Sequence, residues 1–66
     1  MALVEAERFS NSFEAGMAKA RLEAAGIASF LFDLEMSPFG FDGKMIRLMV
    51  ADEDLDAARQ LLAEPP

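Results

Sequence analysis

Lys44-Met45-Ile46-Arg47-Leu48-Met49-Val50 alternates in character, whereas Asp52-Glu53-Asp54-Leu55-Asp56-Ala57-Ala58-Arg59-Gln60-Leu61-Leu62, one residue further on, does not. In the first run Ile46, Leu48 and Val50 point one way and Met45, Arg47 and Met49 the other, the period of a β-strand. In the second, Leu55, Ala58, Leu61 and Leu62 recur at helical spacing and form an apolar stripe. Asp52 is expected to cap this helix, and Glu53 and Asp54 complement the positive end of its dipole. A strand that passes so abruptly into an amphipathic helix needs a sheet for the helix to cover.

The chain before this junction supplies the rest of that sheet. Glu35 to Gly43 carries Pro38, Gly40 and Gly43 and reads as a loop. Ile27 to Leu34 is short, apolar and aromatic, a strand expected to have most of both faces covered. Before it, Ala15, Ala18, Leu22 and Ala25 fall on one helix face, and Gly26 is a natural left-handed stop with Ile27 positioned to pack back on Leu22. Asn11 with Glu14 three residues later fits a helix-starting capping box. Gly16, unfavourable inside a helix by about 1 kcal/mol, is placed on the solvent side. Leu3 to Phe9 alternates, with Val4 and Ala6 opposite Glu5 and Glu7, and forms the first strand.

The resulting order is β-α-β-β-α over residues 1–66 as a single domain, an α+β two-layer sandwich with helices on one face of an antiparallel sheet. A right-handed crossover puts the third strand between the first two, sheet order 1-3-2. This is a ferredoxin-like arrangement lacking its last strand. Leu3 to Phe9 is then an edge without Pro or Lys to guard it, so a homodimer through this strand is expected.

Composition narrows the function. With 66 residues and no Cys, the domain has a thin stability margin and no disulfide to widen it. Twelve acidic against six basic residues give a net charge of −6, which disfavours nucleic acid and anionic membrane surfaces as partners. No run of apolar residues approaches a membrane span, and the start of the chain lacks a signal-peptide pattern, so the cytoplasm is the expected compartment. His, Cys and Tyr are absent, which removes the commonest acid-base groups and thiol nucleophiles and predicts a protein that is not an enzyme. Asp52, Glu53, Asp54 and Asp56 resemble a cation cluster, but a helix start accounts for them; no metal and no cofactor is expected. Gly40 to Gly43 lacks the Lys and following helix of a phosphate loop.

One segment has a composition unlike an ordinary loop. Met36-Ser37-Pro38-Phe39-Gly40-Phe41 is apolar where loops are normally polar. One reading folds Phe39 or Phe41 back onto a thin core. The other makes Met36, Phe39 and Phe41 apolar contacts to an unknown protein partner, with Arg47 as a nearby charge partner. The side of Met45 and Met49 reads either as packing or as an adaptable interface. Three functions follow: a non-enzymatic cytosolic binding or regulatory module, a small-metabolite or nucleotide sensor, and a purely structural dimerisation domain.

Arg8-Phe9-Ser10-Asn11, Glu14-Ala15 and Ala20-Arg21-Leu22-Glu23-Ala24-Ala25-Gly26-Ile27 resemble the helix of the putative prokaryotic signal-transducing protein family. Ile46-Arg47-Leu48-Met49-Val50, Asp52-Glu53-Asp54-Leu55 and Ala58-Arg59-Gln60-Leu61-Leu62 extend the resemblance over nearly the whole chain. The resemblance implies the same small fold, a role in signalling and a distant likeness to the PII (GlnB-like) regulators. Nucleotide and 2-oxoglutarate binding do not carry over, because the chain has neither a long effector loop nor a basic cluster for a triphosphate.

Overall fold

The computed structural model describes the backbone of residues 2–36 and 43–65, with side chains over residues 2–32 and 45–65. Its elements are β1 (Leu3–Phe9), α1 (Ser12–Ala24), β2 (Ser29–Met36), β3 (Gly43–Ala51), a 3₁₀ turn (Asp52–Asp54) and α2 (Leu55–Ala63). Among the described residues the strands form one antiparallel sheet in the order β1-β3-β2. The β-α-β-β-α sandwich read from the sequence is the fold. β2 and β3 pair as far as Met36 opposite Gly43, so the strands reach further into the expected loop than Pro38 and the glycines suggested.

The central strand supplies most of the core. Ile46, Leu48 and Val50 are almost fully buried, together with Ala15, Ala18 and Leu22 of α1 and Ala58 of α2. Val4, Ala6, Phe9, Ile27, Leu31, Leu55, Leu61 and Leu62 pack around that cluster. All of this lies on one side of the sheet. The small alanines let both helices approach it closely, and of the largest fully buried side chains three come from β3 and one, Leu22, from α1.

Local signals placed α1. Asn11 Oδ1 accepts the Glu14 backbone N–H at 2.7 Å, the first half of the capping box. At the other end the Ile27 N–H reaches the Leu22 carbonyl and the Gly26 N–H the Glu23 carbonyl, each at 2.9 Å. This is a Schellman ending, and it needs the positive φ of 83° that Gly26 supplies. Gly16 faces solvent with open space around it, as expected. Ala25, expected on the buried face, is exposed because the helix has already reached its cap there.

The second helix begins differently from expectation. Among the described residues Asp52 makes no side-chain capping bond; its backbone N–H donates to the Ala2 carbonyl at 2.9 Å and ties the start of β1 to the end of β3. The chain therefore turns first through one 3₁₀ turn, and α2 starts at Leu55. At its far end the Arg21 Nη2 donates to the Leu61 and Glu64 carbonyls, each at 2.9 Å, which holds the last turn of α2 against α1.

Strand β1 contains a bulge. Glu5 lies opposite Met49 and Glu7 opposite Leu48, so Ala6 is an extra residue in the ladder. Simple alternation would set Val4 and Phe9 on opposite faces; the bulge brings both to the helix side. It also moves Glu7 from the outer face to the helix side, contrary to the reading that paired it with Glu5.

Candidate functional site

The sheet has a second face, and among the described residues no helix covers it. The ladder places side chains there in rows that cross all three strands. Glu5, Met49 and Phe30 form one row, and Arg8, Arg47 and Phe32 the next. Met45 and Leu3 lie beyond them on the same side. Antiparallel sheets that face water are normally polar on that side. Here Phe30 is 48% exposed, Phe32 47% and Leu3 42%, with Met45 and Met49 half-buried between the strands. The expectation that β2 would be covered on most of both faces is corrected by these two phenylalanines.

The polar part of this face is a three-membered ion-pair cluster. Arg8 and Arg47 are directly opposed across β1 and β3, an arrangement that is unfavourable by itself. Glu5 resolves it: its Oε1 accepts from Arg8 Nε at 2.8 Å and from Arg47 Nε at 2.7 Å. Side chains three apart in a regular strand point to opposite faces. Glu5 and Arg8 meet only because Ala6 is bulged between them. The hydrogen bonds from Arg8 and Arg47 hold the Glu5 carboxyl below its ordinary range.

Of the four contact residues expected from sequence, Met36, Phe39, Phe41 and Arg47, Arg47 is the one whose side-chain surroundings are described. It sits in the middle of the helix-free face, between Arg8 and Phe32, with its head bound by Glu5. Phe39, Phe41 and the side chain of Met36 lie outside the described residues, so the loop to which Arg47 was assigned is not its demonstrated neighbour. Phe30, Phe32 and Glu5 were not singled out. An apolar strand reads the same whether its second face is covered or open, and a bulge at an alanine carries no turn signal.

A concave feature lies on the helix side. Glu7 and Phe9 of β1, Glu14, Met17, Ala18 and Arg21 of α1, and Leu62 of α2 line an open groove of about 320 Å³. Its floor is apolar and its rim carries two acids and one arginine. Among the described residues no three acidic side chains are arranged to hold a metal ion, and no helix is long and apolar enough to cross a membrane.

No curated protein and no solved structure matches this chain. The family described as putative prokaryotic signal transducing protein matches residues 3–65, and the chain belongs to that family.

Proposed function

We infer that this domain is a non-enzymatic regulatory module that works by protein contact, and that its contact surface is the helix-free face of the sheet. The observation that carries this reading is the pair Phe30 and Phe32, two large aromatics about half exposed in adjacent rows of an ordered sheet. Aromatic residues and arginine are enriched at protein interfaces because they give large contact area and, for arginine, planar hydrogen bonding. The family description points to signalling, and a side-chain inventory without His, Cys or Tyr suits contact better than chemistry.

The experiment is photo-crosslinking in cells from a probe residue placed at Phe32 or, as control, at the exposed Gln60 of α2. Capture of a discrete protein from position 32 but not from position 60 is the expected result. Equal capture from both, or none from position 32, overturns it. The groove beside β1 favours a second reading, a sensor of a small apolar ligand. Glu7 and Glu14 on its rim disfavour phosphate-rich ligands. A thermal-shift screen with uncharged and cationic metabolites tests this reading; a flat response removes it.

A further inference from the structure

We propose that the partner of the helix-free face is a second copy of this chain, packed sheet to sheet about a two-fold axis that lies between the two rows and runs across the strands. The proposal rests on the reading of that face as the contact surface and names what covers it.

The order of side chains along the strands carries the argument. On β1 an acid, Glu5, occupies one row and a base, Arg8, the next. On β2 Phe30 and Phe32 occupy the same two rows. On β3 Met49 precedes Arg47 in the same sense. Rotation by 180° about an axis midway between the rows, perpendicular to the strands, lays each row on the other row of the partner. Glu5 then faces the partner's Arg8, and Phe30 faces the partner's Phe32. Met49 meets the aliphatic stem of the partner's Arg47, a contact that suits a flexible thioether. Each contact occurs twice, as an isologous interface requires. A foreign partner would place no such condition on the order of residues in the two rows.

The cluster is prepared for this role. Glu5 already binds the Nε of both arginines, which leaves the terminal nitrogens of each guanidinium free of Glu5. Side-chain ordering, one of the main costs of association, is thus partly met within the single chain. Packing at the ~10 Å spacing of stacked sheets gives four layers, helix-sheet-sheet-helix, and removes both phenylalanines from water. Edge strand β1 is the rival surface expected from the sequence for a second copy. Its bulge at Ala6 interrupts the straight line of backbone groups that edge pairing needs. The face is narrow, three strands at ~4.8 Å, so the dimer dissociates on dilution.

Sedimentation equilibrium over a concentration series tests the proposal. The wild-type mass should rise from 7.2 kDa toward twice that value. Glu5→Arg sets Arg against the partner's Arg8, and Arg8→Glu sets Glu against the partner's Glu5. Each variant alone should weaken association by about tenfold or more, and an equimolar mixture should restore it, because both opposed pairs become complementary again. Circular dichroism of each variant checks that it is folded. Phe30→Cys and Phe32→Cys chains, in a protein with no cysteine of its own, should be joined as a heterodimer by a short bis-maleimide. A dimer indifferent to both charge swaps, or one in which positions 30 and 32 cannot be joined, is built on another surface and overturns the proposal. A monomer at every concentration whose position 32 captures a different protein also overturns it, while leaving the contact-surface reading intact. A monomer that captures nothing overturns both.

Discussion

Strand β3 presents one face to the helices and one away from them, and the two have opposite chemistry. Ile46, Leu48 and Val50 are almost fully buried, whereas Met45, Arg47 and Met49, interleaved with them, remain half open. The same backbone positions both sets, so any difference in their effect comes from what covers them. The helix face holds the fold together. The other face holds two half-exposed phenylalanines and an ion-pair cluster, and it is the face we assign to contact.

The largest test of that contrast is Leu48→Ala. Removing a fully buried leucine from the central strand should cost about 2–5 kcal/mol. A domain of this size has a total stability of only about 3–10 kcal/mol, so the variant should be near or past unfolding at room temperature by urea titration. A loss below about 1 kcal/mol would mean that the helix face is not the stabilising one. Phe30→Ala should cost far less, about 1 kcal/mol in dilute solution, because a ring already half in water gives up less on truncation. A cost of about 3 kcal/mol or more, the value for a core aromatic, would erase the distinction between the faces.

Ser29, one residue earlier, points to the helix side. It is 4% exposed, and its hydroxyl has no hydrogen-bond partner among the described residues. An unsatisfied buried hydroxyl is costly, so Ser29→Ala should raise stability by about 1 kcal/mol, and a clear loss would show that the hydroxyl is bonded. Glu5 gives the smallest effect. Its folded carboxyl titrates below its ordinary range because Arg8 and Arg47 bind the charged form. Its contribution is therefore complete above the unfolded carboxylate range, about pH 4.3, and is lost as pH falls through the lower folded value. Glu5→Gln should show a shallower loss of stability on acidification than wild type in low salt, and the two curves should converge in high salt. Identical acid limbs at low salt would show that the cluster contributes nothing to the fold.

The fold was legible where short-range signals agreed. Asn11, Gly26 and the apolar spacing between them fixed both ends of α1, and the handedness of the crossover gave the sheet order without any side-chain argument. Asp52 misled because acids at a helix start satisfy the same pattern whether or not they cap; here Asp52 lies inside the 3₁₀ turn, with Ala51 at the cap position, and α2 starts three residues later. The contact face was only partly legible. Arg47, Met45 and Met49 were placed together by alternation, but their neighbours Glu5, Phe30 and Phe32 come from strands remote in sequence. One trace of the bulge was present: inward apolar residues in β1 sit at Val4 and Ala6 and then at Phe9, a change from even to odd positions that strict alternation toward one face does not give. Phe39 and Phe41 lie outside the described residues.

That change of parity makes Ala6 an unusual kind of residue, one whose deletion removes its own methyl from the core but moves no other side chain to the wrong face. A chain lacking Ala6 would keep Val4 and Phe9 inward and Glu5 and Arg8 outward on a straight, regular ladder. What it would lose is the irregularity that makes β1 a poor template for strands of other chains. The shortened protein should fold and then form open-ended fibrils, seen as turbidity and thioflavin binding that wild type at equal concentration does not show. On this view the alanine is a solubility device that occupies a single codon, and a clear solution of the deletion variant would deny it that role.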